Sequence, residues 1–323
     1  ATSSTGQKEV TPSVQWRDVG IGMLLGANGR HAGHLEGKLL RYAMNTWAAE
    51  IDAELGLLIL ADCRAGDGDE PPPWLVSMAG PKPLWRCHRE EARPGVSLWR
   101  KTLRLLLEID RSMLGSRRFH LKMDVDTLLL PRSLLQYVRF LSEATLADEA
   151  VYFGNQNAVN RNLYCWRTRC FFRSTEWRGA ARHANWTHTE LAALDGQNVS
   201  YAAGGLYGFS QAALRLLTRS DCLVSMHAAV KRFGARHVAE DELVGLCMLA
   251  HRVRLISCDC FYQYGPCDCR NFSTCHDEEP ASQLCRLPLS VHKLKRAAWY
   301  MPWWTFLRQR EGKHLSALRG TRA

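Results

Sequence analysis

The chain has 323 residues, 46% of them hydrophobic, and a formal net charge of +10. That apolar content excludes a disordered polyelectrolyte, and the length fits one large α/β domain or two ordinary ones. The basic residues are scattered among Trp, Leu and Ala rather than gathered in a block, so the charge reads as a solvated surface plus an anionic small ligand. No recognition motif points to nucleic acid.

In chain order, the polar start, Ala1–Gly6, has the character of a cut end or stem, and residues 1–18 are read as a stem or flexible N-terminus. Val19–Leu25 predicts a buried strand. Gly26-Ala27-Asn28-Gly29 then turns into a helical stretch, roughly Leu35–Glu54, and Leu57–Ala61 predicts a second buried strand. The longest apolar run, Leu55–Ala61, is strand-sized and far short of a membrane span. Asp67–Pro83, rich in Gly and Pro, predicts a loop or exposed excursion. Ser97–Met113 has helical spacing through Leu98, Leu103, Leu106 and Ile109, with Ser97 as its cap.

Phe119–Pro131 reads FHLKMDVDTLLLP. Its apolar alternation predicts a strand that ends in Asp124-Val125-Asp126 and is followed by a helix from about Arg132 to Ala147. Strand and helix alternate to this point, which predicts a mainly parallel sheet. Asn155–Gln197 is irregular, aromatic and basic, with the character of a substrate-facing insertion. Ser200–Tyr207 predicts a Gly-containing turn, Ser210 caps a helix over Gln211–Thr218, and helical periodicity returns at Glu240–Ala250. A Cys-rich part follows at about 256–290, and then a basic, aromatic tail from His292. There is no repeat and no clear linker, so residues 19–323 are read as one domain.

Twelve Cys and three N-glycosylation sequons, at Asn185, Asn198 and Asn271, point to an oxidising secretory compartment. The late cluster has Cys-x-Cys spacing at Cys258/Cys260 and Cys267/Cys269. Structural zinc modules use a Cys-x₂-Cys knuckle, so disulfides are favoured over zinc.

Two carboxylates one residue apart at a strand's C-terminal end sit at the open lip of an α/β sheet, where such sheets bind ligands. Mn²⁺ and Mg²⁺ take oxygen ligands and are shared between carboxylates and substrate phosphates, so Asp124 and Asp126 predict a metal–diphosphate site. The tripeptide alone is weak, since Asp67-Gly68-Asp69 repeats it in a loop; the strand context separates the two. Glu240-Asp241-Glu242 heads a helix, where acidic residues favour the macrodipole and where one could also act as a general base. Gly204-Gly205 permits close approach to backbone or forms a plain turn. His292 follows an apolar strand and is either structural or a metal ligand.

The order and spacing of these pieces resemble the inverting β1,3-glycosyltransferases, the group of Fringe and the β1,3-galactosyltransferases, with the core 1 β1,3-galactosyltransferases nearest. The likeness is carried by Arg41 with Thr46-Trp47, by Ser97–Thr102 (SLWRKT), by the Asp124-x-Asp126 strand, by Gly204–Leu214 and by Glu240–Cys247 (EDELVGLC). The family has three consecutive Asp where this chain has Val125 in the middle. The segment 160–198 and the Cys-x-Cys cluster have no counterpart there.

The resemblance implies a GT-A fold, Rossmann-like and mostly parallel, with helices on both faces. It implies metal-dependent transfer of a hexose, galactose first, from a UDP-sugar to a glycan or glycoprotein acceptor, in β1,3 linkage and with inversion. By the same resemblance Asp126 and His292 hold Mn²⁺ (or Mg²⁺), and Asp124 contacts the ribose or the metal. Arg41, Lys101, Gly204 and Gly205 bind the donor, Asp241 is the base, and Cys222 pairs with Cys247. A Golgi or secretory-lumen location through an anchor absent from this chain is implied, and a homodimer is compatible with it. The competing readings are a non-catalytic chaperone or lectin-like relative on the same fold, and a zinc-stabilised nucleic-acid binder.

Overall fold

The computed structural model describes residues 14–159, 199–262 and 289–320. It has breaks at 52–55, 65, 79–81, 90–97, 226, 228–238, 259, 293 and 295, and it adds a short hairpin within 165–170.

Strand β1 (Val19–Leu25) leads through a 3₁₀ turn at Ala27–Arg30 to helix α1 (Leu35–Asn45) and helix α2 (Trp47–Glu50). Strand β2 (Gly56–Asp62), helix α3 (Pro73–Val76) and strand β3 (Leu84–His88) follow, then helix α4 (Leu98–Arg111). Next come strand β4 (Phe119–Asp124), the two-residue strand β5 (Leu128–Leu129), helix α5 (Pro131–Ala144) and strand β6 (Val151–Val159). The hairpin β7 (Cys165–Trp166)/β8 (Arg169–Cys170) precedes strand β9 (Val199–Ser210), helix α6 (Gln211–Arg219) and helix α7 (Glu240–Ala250). Strands β10 (Arg254–Ser257), β11 (Phe261–Tyr262) and β12 (Ser290–Val291) lead to helix α8 (Ala297–Gly320).

The described residues build a seven-stranded sheet in the order β10-β6-β9-β4-β1-β2-β3. Its pairings are parallel except at β9, which runs antiparallel to both β4 and β6. This is the α/β class read from the sequence, mostly parallel with helices on both faces. Strand alternation sends Ile21, Met23, Ile59 and Met123 to one face, under α1, α5 and α8; it sends Leu24, Leu58 and Leu60 to the other, under α4, α6 and α7. Gly22 lets α4 lie directly on β1, because a Cβ there would press into Leu105 and Ile109.

The structure corrects several sequence readings. The helix expected over Leu35–Glu54 breaks at Thr46, whose φ −118°, ψ −102° is non-helical and whose hydroxyl donates to the Tyr42 carbonyl at 2.6 Å. The excursion over Asp67–Pro83 contains α3. Ser200–Tyr207 is not a turn but the body of β9, and residues 155–159 of the supposed insertion complete β6. The edge strand β3 went unread, and the C-terminal tail is helical with Pro302 inside it. Trp47 anchors that helix by donating from Nε1 to the Tyr300 hydroxyl at 3.0 Å.

Cys222 and Cys247 are bonded as expected, with Cα atoms 5.8 Å apart, and tie α7 to the segment after α6. A second bond, Cys63–Cys87, fastens β3 to β2, and Cys260 is also disulfide-bonded. Most of 160–198, the three sequons' asparagines, Ser97 and the cysteines from Cys267 to Cys285 lie outside the described residues. No helix among the described residues is long and apolar enough to cross a membrane.

Candidate metal and ligand site

The pairing β1–β4 aligns Leu24 with Asp124, and β1–β2 aligns Leu25 with Ala61, so the carboxyl ends of three parallel strands finish together. A cavity of about 470 Å³ opens there, the size of an ordinary small-molecule site. The strand ends contribute Leu24 and Gly26, Asp62, and Asp124–Asp126. Helix α1 contributes Leu35, Glu36 and Leu39, and α4 contributes Leu98 and Lys101. Leu35 and Leu98 are 43% and 48% exposed, an apolar wall left open to a ligand.

Asp124, Asp126 and His292 each place a ligand atom within 4.8 Å of the others, a group that could hold a metal ion. His292 Nε2 lies 3.2 Å from Asp126 Oδ1 and 3.5 Å from Asp124 Oδ2. A distant part of the chain reaches this point through the small sheet β11-β12-β5. Strand β12 runs antiparallel to β5, Leu130 N donates to the Leu289 carbonyl at 2.9 Å, and Leu294 N donates to the Asp126 carbonyl at 3.1 Å.

Burial works against the charged imidazolium of His292, but the hydrogen bonds to Asp124 and Asp126 outweigh it and push its pKa up to about 9. Two carboxylates and an imidazole are a donor set that fits a divalent metal ion.

Lys122, on the same face of β4 as Asp124 by the strand's period of two, was not singled out from the sequence. It is fully buried, and its Nζ contacts Asp124 Oδ1 at 2.9 Å, Glu240 Oε1 at 2.7 Å and the Gly204 carbonyl at 2.6 Å. Burial opposes its charge, yet Asp124 and Glu240 raise its pKa above the ordinary lysine value. Burial likewise opposes ionisation of Asp124, but Lys122 and His292 hold its carboxyl below the ordinary value. A lysine two residues before an Asp inside a buried strand is the signal that could have found it.

The Gly204–Gly205 segment is approached by side chains. A Cβ on Gly205 would overlap the His292 ring, and one on Gly204 would meet Asp241 Oδ2 at 3.1 Å. Thr127 Oγ1 donates to the Gly205 carbonyl at 3.0 Å. Asp241 accepts from Gly204 N at 2.8 Å and from Glu242 N at 3.0 Å. Of the three acids heading α7, Glu240 and Glu242 are buried, while Asp241 is half-buried. Burial first, and then Glu242, push the Asp241 carboxyl up to about 6.

Lys101 Nζ donates to the Leu25 carbonyl at 2.5 Å and pairs with Asp62 Oδ1 at 3.0 Å. Burial lowers its pKa against the pull of Asp62. The structure therefore brings together Asp124, Asp126, His292, Gly204, Gly205 and Asp241, with Lys101 in the adjoining cavity. Arg41 is not brought there: it is exposed on α1, with its guanidinium 5.4 Å from the centroid of the Trp74 ring. Glu36 and Asp62 in the cavity were also missed, because acids at a helix start and a strand end have ordinary capping and solvated uses.

No protein-family model matches the chain, and no curated protein sequence matches it. Among solved structures it is similar to the apo form of mouse xyloside xylosyltransferase 1, at 10% identity and a TM-score of 0.40, over 76% of this chain and 86% of that chain. A likeness of that size leaves the reading of the site to its own geometry.

Proposed function

We propose that the chain is a metal-dependent inverting glycosyltransferase. It moves a hexose, with galactose the first to test, from a UDP-sugar to a hydroxyl of a glycan or glycoprotein in β1,3 linkage. The observation that carries the reading is the convergence of Asp124, Asp126 and His292 on the lip of the cavity, with Asp241 bonded to the glycine next to the one His292 touches.

In this reading Leu24, Leu35, Leu39 and Leu98 pack the nucleoside, and Lys101 brings positive charge to the same cavity. A divalent cation held by Asp126, His292 and Asp124 would supply charge stabilisation for the departing diphosphate. Asp241 takes the proton from the acceptor hydroxyl, and its backbone hydrogen bonds fix the direction of its free lone pairs. One base with no enzyme nucleophile is the arrangement for inversion by single displacement; a covalent glycosyl–enzyme would give retention. Glu240 is committed to Lys122 and Tyr207 and is not free to serve. The disulfides support a secretory-lumen setting.

The test is a panel of UDP-sugars with Mn²⁺, scored for UDP release with and without sugar acceptors. Mn²⁺-dependent release that an acceptor accelerates is expected. Absence of UDP binding with Mn²⁺ present overturns the reading and favours the non-catalytic alternative.

A further inference from the structure

Lysine carries three N–H donors and no acceptor. At Lys122 the three short contacts are with three different elements: Asp124 at the end of β4, the Gly204 carbonyl in β9 and Glu240 at the head of α7. The side chain is fully buried, and the Tyr207 ring packs 5.2 Å from Nζ while the Tyr207 hydroxyl donates to the same Glu240 oxygen at 3.2 Å. No water competes for such an ammonium, so its hydrogen bonds are directional and costly to break.

The consequence lies in the split use of Asp124. Its Oδ1 goes to Lys122, and its Oδ2 faces His292 and, through it, Asp126. We propose that Lys122 is a positioning residue: by holding Oδ1 of Asp124 it presents Oδ2 alone to the cation, and through Glu240 it keeps the helix bearing Asp241 in register with the metal group. This rests on the metal reading above. It assigns Lys122 no contact with substrate or ion.

A simple charge role gives the opposite expectation. Removing a cation beside a metal site tightens metal binding, and removing Lys122 and Glu240 together leaves the net charge unchanged. Positioning instead predicts a loss, because partners that orient metal ligands are worth about 10- to 100-fold in affinity.

The test is Mn²⁺ binding without nucleotide, read by the electron paramagnetic resonance signal of free Mn²⁺, with melting curves to show that each variant is folded. Glu240→Gln removes an anion but leaves Lys122 holding Asp124, so it should lose less Mn²⁺ affinity than a variant that lacks Lys122 as well. The double variant Lys122→Met, Glu240→Gln should lose affinity by about tenfold or more; unchanged affinity overturns the proposal. A second arm leaves Lys122 in place and guards against a double variant that fails to fold. In Asp124→Asn, Lys122 demands the amide oxygen and turns the NH₂ toward the ion, so Mn²⁺ should bind no better than in Asp124→Ala. Tighter binding by Asp124→Asn overturns the proposal as well. If the wild-type protein itself binds no Mn²⁺, the metal reading fails first and takes this one with it, an outcome distinct from a wild type that binds and a double variant that matches it.

Discussion

His292 packs its imidazole against the bare backbone of Gly205, and no side chain larger than hydrogen fits between them. The strand that carries this glycine thereby forms the wall against which a metal-ligand candidate is seated. Gly205→Ala must push the ring away from Asp124 and Asp126. Overpacking of this kind costs about 1–3 kcal/mol, so the variant should fold with a lowered melting temperature and weakened Mn²⁺ binding. Wild-type Mn²⁺ affinity in a titration of Gly205→Ala would separate His292 from the ion.

Asp126→Ala should abolish Mn²⁺-dependent UDP binding in calorimetry, because it removes an anionic ligand from a group of three. The protein's affinity for Mn²⁺ should also climb as pH rises from 6 towards about 9, the pKa of His292. Only the neutral imidazole is a ligand, so binding the ion must expel a proton, and expulsion becomes easier as pH rises. A pH-independent affinity would count against ligation by His292.

Asp241→Asn keeps size and polarity but cannot take a proton. Turnover should fall by about 10²–10⁴ while UDP–Mn²⁺ affinity stays close to wild type. On the proposed mechanism, the acid limb of the wild-type rate profile should lie near the Asp241 pKa of about 6, with activity rising as the carboxyl ionises. Near-normal turnover of the asparagine variant would remove Asp241 from the proposed mechanism.

His120 in β4 is fully buried, and burial pushes its pKa down to about 4 against the opposing pull of the Arg117 backbone. A histidine depressed in the folded state is protonated first in the unfolded chain. Its effect is absent above the unfolded value of about 6.5, and stability is lost as pH falls from there towards 4. By pH 5 the loss should be roughly 2 kcal/mol. His120→Leu should flatten that part of the stability–pH curve in urea denaturation. Parallel curves for the two proteins would show that His120 is not the group responsible.

The Cys63–Cys87 bond closes a loop with a sequence separation of 24 and secures the edge strand β3 beside Asp62 of the cavity. Replacing both by Ser should cost about 3 kcal/mol, chiefly by freeing the unfolded chain. An unchanged urea midpoint would refute this.

Local pattern was enough for the elements that are buried on their own terms. The apolar runs of β1 and β2, the helical spacing of α4 and α5, the Ser210 cap and the two carboxylates at the end of β4 were all legible, because each reflects a period or a cap within a few residues. A family resemblance also singled out Asp126, His292 and Asp241 as candidates, and it implied the bond between Cys222 and Cys247 that the structure contains. What it could not do was decide how Gly204-Gly205 behaves. Glycine pairs favour turns by propensity, yet these two lie in a strand whose carbonyls accept from Lys122 and Thr127 and whose missing side chains admit Asp241 and His292. Nor could local pattern show that Lys122 is internal, that β3 pairs at the sheet edge, or that Arg41 lies over the Trp74 ring. Those outcomes depend on partners far along the chain. A buried ammonium, a bare strand and an edge become favourable only when β4, β9, α7 and the small sheet behind His292 bring their charges and backbone groups to one place.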